Sequence, residues 1–426
     1  MRIGKNRIAI TGLGIISCLG LDRNTVKQTL QDQRCGIKLL ESRKNLGFQS
    51  GLSGVIEGFD DRSVLDRKRR KSLPKHGLWA WAAVKQALEQ AGIGPEDLRE
   101  DTQTGLIFGN DTSAATAVEQ VDILRQAGDT RTIGSGHIFR LLNSSITLNI
   151  STILGIRGHS WTVSSACAGG AMAIGQAAEL IATGRQQRVI CGGAQEINWQ
   201  SMCSFDTLGA FSRREWAPQH ASRPFDLDRD GLVPSGGAAA LILEEWQTAV
   251  NRDAVILGEV LGYGNTSDGY HIVTPSGEGL LRAMEMALCD AGLTTADLDL
   301  VLAHATSTLA GDKAEAVALC SLFQTGDGRD TPPVTALKAL TGHEFWMAGA
   351  AQVVYGLLMG RGGFIAGNPN LENPDPAARG LHFVRRTVKQ NFSIMLCNAA
   401  GFGGTNGCLI IRNCQAGRNQ TDCATP

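Results

Sequence analysis

The chain repeats itself. Glu89–Leu98 reads EQAGIGPEDL and Cys289–Leu298 reads CDAGLTTADL. Each segment ends an amphipathic helix, marked by Leu78, Trp81, Val84, Leu88 and Ala91 in one case and by Leu280, Met284, Ala287 and Ala291 in the other. Each leads into an apolar run that reads as a strand, Thr104–Gly109 (TGLIFG) or Leu300–His304 (LVLAH). A second echo follows in the same order. Aligning Gly184-Arg185 with Gly360-Arg361, at the ends of two small-residue helices, places Cys167 on His343. A chain that holds one βαβ-rich unit twice is confined to folds in which the two copies pack about a pseudo-twofold, with paired helix N-termini facing each other.

The repeat sets the expected domain limits. Leu241–Glu245 (LILEE) closes the first copy as a strand, Asn251-Arg252-Asp253 is a polar turn, and Val255–Gly264 restarts with β residues. The expected units are 1–250, 251–412 and a flexible polar tail, 413–426. The first copy is longer, and its excess, about Asp111–Gly158, is a candidate partner interface. Glycine is abundant, 52 of 426 residues, and falls in short turns, which suits an α/β protein with many tight strand–helix junctions.

Several classes are disfavoured. The net charge of −1 gives no global attraction to nucleic acid or membrane. No apolar run approaches the roughly 18–20 residues of a membrane span. The N-terminal MRIGKNRIAITGLGI is short, β-branched and broken by glycine, so it reads as a first strand and not as a signal peptide. The 11 cysteines are scattered without CxxC spacing, which suggests neither a disulfide framework nor a zinc site and points to the cytoplasm.

Three segments carry chemistry. Cys167 lies in WTVSSACAGG, at a strand-to-helix elbow before a small-residue helix with no early charge. The positive end of that helix is expected to favour the thiolate. His304 opens HATSTLAGDKAEA, ahead of Asp312 and Glu315, and His343 lies in KALTGHEFWMAGAA, after Lys338. One thiol and two imidazoles on elbows of a duplicated scaffold form a candidate nucleophilic site. Gly401–Thr405 (GFGGT) adds backbone N–H groups suited to an oxyanion.

These motifs resemble those of the β-ketoacyl-[acyl-carrier-protein] synthases, condensing enzymes of the thiolase superfamily. The likeness is to the elongating type I/II enzymes and runs from about Arg7 to Arg412. It covers ITGLGI, SSACAGG, ASRPFDLDRDG, SDGYH, HATSTLAGDKAE, KALTGH and GFGGTN. The resemblance implies a five-layer αβαβα fold of two duplicated halves. It implies a Cys167-His304-His343 site in which Lys338 pairs with Glu315 and orients the histidines. It places the oxyanion hole at the amides of Cys167 and Phe402, with Phe402 as gate, and the acyl pocket at Thr112, Phe345, Trp346 and Ala400. Carrier contacts fall on Lys68 and Lys71, within the basic run Arg67–Lys71. No metal or redox cofactor is implied. The partners implied are acyl- and malonyl-loaded carrier protein, and a second subunit in a homodimer or a related heterodimer.

The chain departs from the pattern in places. HATSTL stands for the usual HGTSTP, with Ala305 and Leu309; Glu344, Phe345 and Trp346 follow TGH where small residues are common; Ala400 replaces an aromatic in NAAGFGGTN. Fatty acid elongation is the leading reading. A specialised type II polyketide or polyene pathway, with a chain-length-factor partner, is the alternative. The non-catalytic partner subunit lacks the nucleophile, and a degradative thiolase carries a second Cys where GFGGTN stands.

Overall fold

A computed structural model describes residues 6–325 and 331–414. Its framework is an 11-stranded sheet. The first half supplies β1 (Ile8–Ile16), β2 (Thr104–Gly109), β3 (Ser160–Val163), β4 (Arg188–Gln195) and β5 (Gly237–Glu245). The second half supplies β6 (Gly258–Ser267), β7 (Leu300–Leu302), β8 (Pro333–Thr335), β9 (His382–Phe383), β10 (Ile394–Gly401) and β11 (Thr405–Asn413). Outward from the centre, the order is β1-β5-β4-β2-β3 on one side and β6-β11-β10-β7-β8-β9 on the other. The strand senses match pair by pair, antiparallel near the centre and parallel further out. The half-sheets join where Ile8–Ile10 of β1 run antiparallel to Gly258–Val260 of β6.

Helices complete five layers, as the resemblance implies. The helix α1 (Lys75–Ala91) covers β1, β5 and β4 from outside, and α3 (Glu278–Ala291) covers β6, β11 and β10. Between the half-sheets lie α2 (Gly169–Ala182) and α5 (Ala348–Gly362), which touch strands of both halves. The remaining long helix of the second half is α4 (Leu309–Phe323). Strand alternation feeds the separate cores: in β5, Ala239, Leu241 and Leu243 face the central layer, while Ala238, Ala240 and Ile242 face α1.

Glycine sets the helix–sheet spacing in both copies. A Cβ at Gly12 or Gly14 would run into the carbonyls of Ala87 or Ala83 on α1, and one at Gly262 or Gly264 into those of Ala287 or Ala283 on α3. The end motifs repeat too. Both outer helices stop at a left-handed glycine, Gly92 (φ 66°) or Gly292 (φ 69°), and continue into a 3-10 turn closed by Asp97 or Asp297.

The second echo has a different register from the one read in the sequence. The paired landmarks are the left-handed residues Ala166 (φ 46°) and Phe345 (φ 44°), then the helix starts Gly169 and Ala348, then the C-terminal glycines Gly184 (φ 71°) and Gly363 (φ 67°). Packing agrees: a Cβ at Gly170 would press on Ala350, and one at Gly349 on Ala171. Cys167 is therefore matched by Trp346, and His343 lies three residues earlier. The Gly-Arg pair misled because Gly360 is inside α5, not at its end.

The expected tail boundary at residue 413 falls inside the fold. Asn413 and Cys414 are buried, and their N–H groups donate to Ser393 O and Leu257 O. Residues 415–426, the rest of the expected tail, lie outside the described residues.

Candidate active site

Cys167 sits in a 3-10 turn, Ala166–Ala168, that runs into α2. The elbow is held from the neighbouring strand: Ala166 N donates to Asp111 Oδ2 at 2.7 Å, just past the end of β2. Asp111 was not singled out in the sequence; its signal is a carboxylate at the C-terminal end of a parallel strand beside the elbow. From the other half, Thr405 Oγ1 donates to Ser165 O at 3.1 Å. A Cβ at Gly401 would lie 2.8 Å from the Cys167 amide nitrogen. Glycine there lets the loop before Phe402 close on the nucleophile.

His343 follows the short helix Lys338–Thr341 and the left-handed Gly342 (φ 72°). Its backbone is pinned by His343 N to Val233 O (2.7 Å) and Ser235 N to His343 O (2.8 Å). Its Nε2 lies 3.1 Å from Cys167 Sγ. His304 lies beyond the end of β7, its ring centroid 5.2 Å from that of His343 and nearly perpendicular. Its loop is folded by α4: Glu315 accepts from His304 N (2.8 Å), Ala305 N (2.6 Å) and Asn398 Nδ2 (3.0 Å), and Asp312 accepts from Ser307 N (3.0 Å) and Phe225 N (2.8 Å). Asp312 and Glu315 are three apart, so one face of α4 turns both carboxylates inward.

Two expectations about this centre are corrected. Burial pushes the Cys167 thiol up to about 12, against the pull of Lys338, so the resting site does not favour the thiolate. A helix N-terminus contributes about 0.3–1 kcal/mol, under one pKa unit, whereas full burial shifts a group by up to 3–5 units. A thiol held in that form needs a base beside it, and the nearest nitrogen is His343 Nε2, 3.1 Å away. Burial, reinforced by Lys338, holds both imidazoles well below their usual range.

The second correction concerns Lys338. It makes no ion pair with Glu315, and its Nζ is buried without a hydrogen-bond partner. Both Glu315 oxygens are already occupied by N–H groups. The carboxylate that pulls hardest on Lys338 is Glu344.

A cavity of about 280 Å³ opens onto this centre. Cys167, His304, His343, Phe345, Ala400 and Phe402 line it. Phe205, which the sequence did not reveal, stacks on Phe402 (5.8 Å, 18° between planes) and touches Phe345 (4.9 Å). Thr112 and Trp346 do not line the cavity. Thr112 Oγ1 donates instead to Glu196 Oε1 at 3.0 Å, and Trp346 packs behind the wall with Phe48, Met202 and Phe211. Lys68 and Lys71 are exposed, at a short helix Arg67–Arg70 capped by Asp66, outside the cavity.

Comparison with known proteins agrees with this geometry. Family models described as Beta-ketoacyl synthase, N-terminal domain and Beta-ketoacyl synthase, C-terminal domain match residues 5–249 and 257–372. The 3-oxoacyl-[acyl-carrier-protein] synthase 1 of Escherichia coli (strain K12) is 36% identical over 408 residues, 95% of this chain and 98% of that protein. The crystal structure of a Beta-ketoacyl synthase from Burkholderia phymatum STM815 superimposes with a TM-score of 0.90 at 31% identity, over 96% of this chain and 100% of that one. A type II polyketide ketosynthase, AntDE, solved in complex with its acyl-carrier protein AntF, superimposes with a TM-score of 0.87 at 27% identity, over 96% of this chain and 100% of that one.

Proposed function

The chain belongs to the β-ketoacyl synthase family, and on that premise we propose that it acts as a 3-oxoacyl-[acyl-carrier-protein] synthase. The observation that carries the reading is the 3.1 Å contact between Cys167 Sγ and His343 Nε2, with His304 beside it in one cavity.

In the first half-reaction Cys167 Sγ attacks the acyl thioester carbonyl. His343 takes the thiol proton and passes it to the departing carrier thiolate, leaving an acyl-Cys. In the second, His304 and His343 donate to the malonyl thioester oxygen as carbon dioxide leaves and negative charge gathers there. Donors already aimed at that oxygen act mainly in the transition state. The enolate carbon attacks the acyl-Cys carbonyl, whose oxyanion rests on the amides of Cys167 and Phe402. Collapse returns the Cys167 thiolate, which takes one proton from solvent, and releases the 3-oxoacyl-carrier.

Fatty acid elongation is favoured by 36% identity to the E. coli synthase against 27% to the polyketide ketosynthase. A specialised polyketide or polyene pathway is the second reading, favoured by the cavity wall shared by Ala400 and Phe345. Acyl- and malonyl-loaded carriers are the partners, meeting the basic run at Lys68 and Lys71. The duplicated halves 1–250 and 251–412 are the structural units. A second subunit, a copy or a relative, meets the excess of the first half, residues 111–158, where Ile138, Phe139 and Leu148 are exposed. No helix among the described residues is long and apolar enough to cross a membrane, and the described cysteines form no disulfide with one another. A cytoplasmic location belongs to the same reading.

Intact-protein mass spectrometry after incubation with a panel of acyl-carriers tests the reading. An acyl mass on Cys167, lost in Cys167→Ser and converted to 3-oxoacyl-carrier by malonyl-carrier, is expected. An adduct on another cysteine with Cys167 unmodified would overturn it.

A further inference from the structure

Glu344 follows His343 directly and is 1% exposed. Tyr355 of α5, also fully buried, donates its hydroxyl to Glu344 Oε1 at 2.6 Å. Lys338, 2% exposed, is the buried cation of the same region, and its Nζ has no hydrogen-bond partner. Neither Glu315 nor Glu344 forms a direct ion pair with it, and Glu315 already takes three N–H donors on its two oxygens. An ammonium with no partner at this depth is costly unless a counter-charge lies close. The charged and titratable groups that act on Lys338 are Glu344, Glu315, Cys167 and Asp312, with Glu344 the strongest, and Lys338 in turn acts on His304 and His343. Those facing Glu344 are Lys338, Tyr355 and Cys18, while the Thr341 hydroxyl donates to Gly342 O at 2.8 Å.

We propose that Glu344, held by Tyr355, is a positioning residue that keeps Lys338 charged behind the two histidines, so that a positive charge is in place when the malonyl thioester oxygen becomes anionic. The proposal rests on the condensing reaction above and assigns a role to a carboxylate that the reaction otherwise leaves idle. Glu344 touches no reacting atom; it acts through Lys338. The two charges support each other. Burial raises Glu344 to about 7 and lowers Lys338, while each favours the other's ionised form. The Tyr355 hydroxyl stabilises the carboxylate of Glu344.

Two variants move the pH profile of malonyl-carrier decarboxylation in opposite places. Glu344→Gln keeps an oxygen for the Tyr355 hydroxyl but removes the anion. Lys338 then loses its proton more easily, and the alkaline limb of the profile moves to lower pH by about one unit or more. Tyr355→Phe removes the donor that favours ionised Glu344. Glu344 then protonates more easily, and the acidic limb moves to higher pH. Rates of carbon dioxide release are measured from pH 5 to 10 in wild type and both variants. Profiles that keep the wild-type limbs and differ only in height would overturn the proposal, since a residue that merely packs lowers the rate evenly. If Glu344→Gln does not fold, Tyr355→Phe alone decides by its acidic limb. A wild-type protein that releases no carbon dioxide from malonyl-carrier would instead overturn the condensing reading itself.

Discussion

Glu315 accepts the backbone N–H of His304 at 2.8 Å, and so holds an imidazole in place without touching it. The same carboxylate takes the next amide, of Ala305, at 2.6 Å. Glu315→Gln would turn an NH₂ group toward one of these donors. A buried N–H left unpaired costs about 1–3 kcal/mol. The variant is expected to melt at lower temperature and to lose malonyl decarboxylation more than acyl transfer. Equal losses in both half-reactions would show that the contact supports the whole cavity and not His304 alone.

His304→Ala separates the half-reactions. The thiol is 3.1 Å from His343, so acyl transfer to Cys167 is expected to survive. Carbon dioxide release from malonyl-carrier should fall about 10²–10³-fold, the usual loss for one donor at a developing anion. Labelled acyl transfer and carbon dioxide release, measured on one preparation, give the ratio.

The buried thiol has a pH signature. With Cys167 raised from 9.0 to about 12, the thiolate fraction in the free enzyme climbs about tenfold per pH unit through neutrality. Iodoacetamide labelling of Cys167, followed by peptide mass spectrometry, should therefore rise from pH 7 to 10 without a plateau. A plateau near pH 8 would mean that the resting nucleophile is already a thiolate.

Ala400 and Phe345 share the cavity wall, so adding bulk to one is felt in the space the other leaves. Ala400→Phe is expected to overpack the site, costing about 1–3 kcal/mol, and to shift acylation toward shorter chains. The acyl-carrier panel and a thermal melt report both effects. An unchanged panel would separate Ala400 from chain selection.

Reversing Lys68 and Lys71 to Glu should raise KM for acyl-carrier, leave kcat nearly unchanged and flatten the salt dependence of kcat/KM. Both side chains are exposed, so the fold should be indifferent. Kinetics identical to wild type would place carrier docking elsewhere.

What the sequence disclosed and what it hid divide along physical lines. The copies were legible because their helix ends need particular residues: left-handed Gly92 and Gly292, then an aspartate three residues into the next turn. Cys167, His304 and His343 were legible as chemistry placed on elbows. The exact match of the two central helices was not, because a Gly-Arg pair has no fixed place on a helix, whereas the left-handed Gly184 and Gly363 do. The idle Nζ of Lys338 was hidden for a related reason. Its expected partner, Glu315, is turned instead to the main-chain N–H groups of His304 and Ala305, and a backbone donor leaves no trace in residue types. Phe345 and Trp346 read alike as wall residues. A 3-10 turn separates successive side chains by about a third of a revolution, so only Phe345 reaches the cavity.

The seam between the halves has one more consequence. The nucleophile arrives on one copy and both imidazoles on the other, and the copies meet through a short stretch of paired strand at Ile8–Ile10 and through bare-backbone contacts of Gly170 with Ala350 and Gly349 with Ala171. Neither copy alone holds a working set of reactive groups. Chemistry in this protein thus hangs on docking: a change at the seam that spares the thiol and both imidazoles would still part them, because one core is shared by the two copies.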